Sequence, residues 1–226
     1  MKKPRRLIVG DIHGCADELA ELLFRFKFMP GYDTLFSVGD IIGKGPKARE
    51  ALELLRQFGA RITLGNHEQH LLNAAALSPA KRTERHAFYL ASLGKERDYW
   101  LDQISKWPLY IEEPDLIIVH AGLEPGIADP AKMRPKVLQN IRTWDGTGDN
   151  MNRQGEDPPW FECLGTAGAS AKTVVFGHWA ERGLVDLPRF KGLDTGCVYG
   201  KELTAWCPEE KKFHHIPARK AYAAID

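Results

Sequence analysis

Three short glycine-led blocks, Gly10-Asp11-Ile12-His13-Gly14, Gly39-Asp40 and Gly65-Asn66-His67-Glu68, constrain what this chain can fold into. Each closes a run of strand-forming residues: Arg6 to Val9, Thr34 to Val38 and Arg61 to Leu64. Between these runs, residues 16–28 carry Leu19, Leu22, Leu23 and Phe26, and residues 48–58 carry Leu52, Leu54 and Leu55, the three-and-four spacing of amphipathic helices. Pro30-Gly31 stops the first helix. The alternation predicts two successive βαβ units, a parallel sheet and right-handed crossovers. Ligands of such sheets gather beyond the carboxyl ends of the strands, so Asp11, Asp40 and Asn66 are aimed at one crevice.

Further along, residues 67–77 and most of 86–104 read as helical, and 109–111 and 116–119 as strands, the second of which delivers His120. Residues 144–170 are rich in Gly, Pro, Asp and Asn and are expected to form a long loop or lid. Beyond it, 173–176, 190–193, 203–206 and 212–216 read as strands of a β-rich, antiparallel C-terminal third, and His178 follows the first of them.

Carboxylate, imidazole and amide oxygen together suit a borderline divalent ion, with manganese expected and iron or zinc as alternatives, and two such ions can clamp both oxygens of a phosphoryl transfer. Asp11 and His13 stand two apart, so in an extended segment both leave on one face and can grip one ion. Asp40 can bridge two ions roughly 3.5 to 4 Å apart. Asn66 offers a neutral oxygen, and His67 would sit in the first turn of a helix. Taken singly, an Asp-x-His pair is more often a hydrogen-bonded turn, and His120 or His178 a packed core histidine. The convergence of several blocks favours chemistry.

A chain of 226 residues with 43% hydrophobic and 27% charged content fits a single soluble domain over 1–226. The formal charge of +1 leaves no strong field to recruit nucleic acid or a membrane, so any anion must be held locally. Leu7 to Val9 is too short for a signal-peptide core and no later run reaches membrane-spanning length, which points to the cytoplasm. Cys15, Cys163, Cys197 and Cys207 lack the close pairing of a redox or zinc motif and read as reduced, structural thiols.

The ordered blocks GDIHG, GD followed by KGP, GNHE, HAG, GH and LDTGC resemble the signature of the calcineurin-like metallophosphoesterases, in the phosphoprotein-phosphatase branch. GDIHGC, FGHW and LDTGCVYG are most similar to bacterial enzymes related to symmetrical diadenosine tetraphosphate hydrolase. The resemblance covers about residues 7 to 206 and is weakest through 124 to 172. It implies a four-layer α/β/β/α sandwich with mixed sheets. By position, it also implies that Asp11 and His13 bind one metal, Asp40 bridges, Asn66, His120 and His178 bind the second, and His67 is the general acid. The implied mechanism is in-line attack by a metal-bridging hydroxide on a phosphoanhydride or phosphoester. The implied partner is a small phosphate ester or dinucleoside polyphosphate. Two rivals stand beside that reading: a serine/threonine or tyrosine protein phosphatase acting on phosphoproteins, and a non-catalytic phosphate-binding module.

The chain departs from the eukaryotic protein phosphatases, which have an aspartate and an arginine where Gly43 and Lys44 stand, so His67 lacks its usual orienting carboxylate. Lys44 can place a point charge on phosphate or be an ordinary loop lysine. Arg142 is the candidate for the second phosphate contact, with Arg134 and Arg153 as rivals. Asp194 and Cys197, in the LDTGC block and with no evident ligand duty, read as scaffold that shapes the site, and His70 as a packing residue outside it. Trp144, Trp160, Trp179 and Tyr199 are candidates to stack a base or line a groove, or simply to pack.

Overall fold

The computed structural model describes residues 3–164 and 172–224, so residues 165–170 of the expected loop lie outside the described part. Two five-stranded sheets form the frame. The first has the order β10 (Lys212–Pro217), β9 (Glu202–Cys207), β1 (Arg6–Val9), β2 (Thr34–Ser37) and β3 (Arg61–Ile62); the second runs β4 (Tyr110–Glu112), β5 (Leu116–Val119), β6 (Thr173–Phe176), β8 (Phe190–Gly192) and β7 (Val185–Asp186).

Strand alternation explains how the sheets stack. In β1, Leu7 and Val9 face the helices while Ile8 joins Phe36, Ile111, Ile118, Val175 and Leu193 in a cluster drawn from both sheets. In β5 and β6, Ile117, Val119, Val174 and Phe176 turn to the opposite side. Strands covered on both faces read as continuous apolar runs, as LIV and LIIV do here. Helices α1 (Ala16–Phe26) and α2 (Ala48–Gln57) cover the first sheet through Leu19, Leu22, Leu23, Leu52 and Leu55, each buried leucine contributing about 2 kcal/mol. The same cluster takes in Leu71 of α3 (Asn66–Ala76), Tyr89 and Leu90 of α4 (Glu84–Ser92), and Trp100 and Ile104 of α5 (Arg97–Ile104). The outer cover of the second sheet is thin: the six-residue α6 (Pro135–Asn140) together with Trp160, Phe161 and Leu164. This is the expected four-layer arrangement.

Two expectations need correction. The β-rich C-terminal third is mixed rather than antiparallel: β9 and β10 pair antiparallel, but β6 runs parallel to both β5 and β8, because the chain crosses over between them. Helix α1 stops two residues early, where Lys27 takes a left-handed conformation (φ 55°) and its N–H bonds Phe24 O. Among the described residues no helix is long and apolar enough to cross a membrane.

Candidate active site

Six strands end at one place. Beyond β1 comes Asp11, beyond β2 Asp40, beyond β3 Asn66, beyond β5 His120, beyond β6 His178 and beyond β8 Asp194. Asp11, His13, Asp40, Lys44, Asn66, His67, Arg142, His178, Asp194 and Tyr199 line one cavity of about 180 Å³. His120, fully buried, forms its floor against Asp40 and Asn66.

Asp40 is the hub. Its Oδ1 accepts the backbone N–H of His67 (3.0 Å) at the start of α3, where the helix dipole favours a negative charge. Its Oδ2 faces Nε2 of His120 at 3.5 Å, of His13 at 3.7 Å and of His67 at 3.9 Å. The loop that carries Asp40 is clipped by Glu68, whose buried carboxylate accepts the N–H groups of Asp40 and Ile41 (2.8 Å each), Ile42 (3.1 Å) and Gly65 (3.2 Å). Asp11, on the far side, accepts His178 N–H at 3.1 and 3.2 Å. Position 177 must be glycine for that contact, since a Cβ there would lie 1.9 Å from Asp11 Oδ1.

His13 (φ 47°), Asp40 (φ 51°) and His178 (φ 69°) all adopt the left-handed region, which costs non-glycine residues energy and recurs at functional sites. The alternation expected of an extended Asp11-x-His13 segment is therefore not how His13 arrives. A turn swings it in, with His13 N–H bonded to Asp40 O (2.7 Å) and Gly45 N–H bonded to His13 O (2.7 Å).

The tautomers point the same way. His13 Nδ1 meets Ile42 O (3.0 Å), His120 Nδ1 meets Val38 O (2.9 Å) and His178 Nε2 meets Asn140 O (3.2 Å). Carbonyls only accept, so each ring spends its proton outward and turns a bare nitrogen inward, the arrangement of metal-ligating histidine. His120 Nε2 then meets the Asn66 side-chain amide at 2.8 Å and His178 Nδ1 meets it at 3.1 Å, so one amide and two inward-facing nitrogens gather at a single point, a donor set that suits a divalent cation. Burial tells the same story: it pushes Asp11 and Asp40 well above the usual carboxylate range, with neighbouring carboxylates adding to it, and it raises Asp194 to about 6 and Glu68 to about 7 against the hydrogen bonds those two accept. Burial also lowers His13 to about 4 and His120 to about 3, leaving neutral donors. The set fits divalent ions bound by carboxylate, imidazole and amide oxygen.

A family model for calcineurin-like phosphoesterases matches residues 4–188. The chain is a calcineurin-like phosphoesterase. It is 32% identical to the symmetrical bis(5'-nucleosyl)-tetraphosphatase of Vibrio parahaemolyticus, over 91% of this chain and 96% of that protein. It is 32% identical to the enzyme of the same name from Chromohalobacter salexigens, over 93% and 97%. A crystal structure provisionally assigned as a diadenosine tetraphosphatase matches with a TM-score of 0.81 and 30% identity, covering 96% of this chain and 94% of that one. As a member of this family, the chain is a metal-dependent hydrolase of phosphoric esters or anhydrides.

Around the phosphoesterase centre, the rival residues separate by location. Arg142 lines the cavity, held by Asn152 Oδ1 (3.1 Å) and near Glu181 Oε2 (3.9 Å). Arg134 instead binds Glu124 and Thr147 O, and Arg153 binds Glu156. Lys44 lines the cavity and bonds the Tyr199 hydroxyl. Of the four aromatic candidates, Tyr199 alone reaches the cavity; Trp160 is fully buried and Trp179 and Trp144 pack in or against the second cluster. No described residue of 144–164 lines the cavity, and its apolar end is core. His70, more exposed and on the next turn, stays out of the lining.

Sequence reasoning missed two residues and undervalued a third. Asp194, expected only to shape the site, lines the cavity beside Asp11, and its place after a strand end was the available signal. Glu68, inside the GNHE block, gave no hint of its four backbone contacts. Tyr89 bonds His67 Nδ1 through its hydroxyl (2.9 Å), and nothing in its helical surroundings marks it.

Gly43 explains why no carboxylate stands where the eukaryotic pattern has one. At φ 134° a Cβ on residue 43 would lie 2.3 Å from His67 Nδ1. Gly43→Asp is therefore expected to displace His67 and lower kcat by about 10²-fold, the usual cost of an ångström-scale misplacement. Steady-state kinetics check this, and an active Gly43→Asp variant would contradict the packing described here.

Proposed function

We propose that this phosphoesterase hydrolyses dinucleoside polyphosphates of the diadenosine tetraphosphate class, cutting a phosphoanhydride symmetrically, with manganese as the working ion and the cytoplasm as its location. The observation that carries the reading is the convergence on Asp40 Oδ2 of three imidazoles within 3.5–3.9 Å, in a chain about a third identical to enzymes named for that activity. In this reading Asp11 and His13 would hold one ion, Asn66, His120 and His178 the other, and Asp40 would serve both. Asp194 stands beside Asp11. When bound, the ions lower the pKa of water and neutralise charge on the phosphoryl oxygens.

The chain's own residues do the rest. Lys44 and Arg142 attract and orient the non-bridging oxygens, Arg142 through its planar fork and Lys44 as a point charge. Tyr199 offers a ring face and the cavity wall. His67 turns Nε2 toward the cavity and delivers a proton to the departing oxygen. Four unbridged cysteines, three of them buried, agree with a reducing compartment.

The alignment to the Vibrio enzyme extends over 260 positions yet takes up 91% of a 226-residue chain, so that relative carries segments absent here. Fewer residues remain to grip the second nucleotide, and KM for the dinucleotide is expected to be the weak parameter. Turnover of diadenosine tetraphosphate with manganese should release ADP as the sole nucleotide product. Release of AMP and ATP, or activity on a phosphopeptide but none on the dinucleotide, would overturn the substrate assignment.

A further inference from the structure

His67 differs from the three other histidines around the cavity in what holds its outer nitrogen. They lean on backbone carbonyls, which fix one tautomer; His67 Nδ1 leans on the hydroxyl of Tyr89, 2.9 Å away on α4. The two rings meet edge to face with centroids 5.8 Å apart, and Tyr89 is 2% exposed, so its orientation is set by the core. Arg85, one turn earlier on the same helix, donates Nη2–H to the same hydroxyl oxygen (3.3 Å) and keeps it turned toward His67. Gly43 leaves the Nδ1 edge open on its own side, and a carboxylate cannot enter there.

We propose that Tyr89 is the positioning residue of His67, a neutral hydroxyl that takes over the task of the missing carboxylate. The inference rests on the general-acid role given to His67 above. The hydroxyl holds Nδ1, which fixes the ring plane and leaves Nε2 facing the cavity. When the ester bond breaks, the electron pair stays on the leaving oxygen, the Nε2 proton moves to that oxygen, and Nδ1–H remains on Tyr89. Tyr89 exchanges nothing with substrate and only fixes the ring plane.

Tyr89→Phe keeps the packed ring and removes this one hydrogen bond. With phenyl phosphate, whose leaving group needs protonation, kcat is expected to fall about tenfold, the scale of losing one buried hydrogen bond to a catalytic group. With para-nitrophenyl phosphate, whose leaving group departs as a stable anion, kcat should change less than about twofold, with KM and metal content unaltered. In a His67→Asn background, Tyr89→Phe should cost nothing further, because two residues acting through one group do not add. An equal loss on both esters, a further loss in the His67→Asn background, or unchanged phenyl phosphate turnover would each overturn the inference. His67→Asn with Tyr89 intact reads the general-acid assignment separately.

Discussion

His67→Asn should bind metal as the unaltered protein does and lose roughly 10²- to 10⁴-fold in kcat, the range for removing a general acid. The reason is where its nitrogens point. Nδ1 is taken by Tyr89, and Nε2 stands 3.9 Å from Asp40 Oδ2, the longest of the three imidazole approaches to that oxygen. Its backbone N–H still binds Asp40 Oδ1 whatever the side chain, so the Asp40 carboxylate keeps its orientation. Elemental analysis beside steady-state kinetics checks both halves. A variant that loses an ion as well as turnover would make His67 a ligand, and one that turns over normally would remove it from the chemistry.

Asp40→Asn should do the reverse and fail at the metal first. One oxygen of Asp40 faces three imidazoles, and the residue sits in a strained left-handed turn pinned by Glu68 through its own N–H. Replacing the carboxylate by an amide removes the charge that the proposed bridge would share between two ions while leaving the turn in place. Changes to residues that merely support ligands cost about 10- to 100-fold in affinity or activity, so loss of the bridge itself should exceed that. Occupancy measured after dialysis should fall below two ions per chain at metal concentrations that saturate the native protein, with turnover falling in step. A full pair of ions in this variant would disprove the bridge.

Much of this cavity was legible in the sequence because strand ends and its polar side chains coincide. A run such as Leu7 to Val9, buried on both faces, can end only at a rim, and the first polar residues after it, Asp11 and His13, must gather there. The same logic locates Asp40, Asn66, His120 and His178, and it holds equally for Asp194, which follows the strand Phe190–Gly192. What stayed hidden depends on packing between elements distant in sequence. Glu68 looks like a residue of a helix's first turn until the loop of Asp40 to Ile42 is folded over it. Tyr89 sits on a helix whose sequence carries no chemical pattern, 22 residues from the ring it touches. The parallel pairing of β6 with β8 was equally invisible, since short strands give no sign of direction.

Crystals grown with manganese and measured at the manganese absorption edge test the dinuclear centre most directly. Two anomalous peaks are expected in the cavity, roughly 3.5 to 4 Å apart as in other two-metal hydrolases, with Asp40 touching both, Asp11 and His13 on one, and Asn66, His120 and His178 on the other. A single peak, or ions coordinated by other side chains while these six point elsewhere, would contradict it.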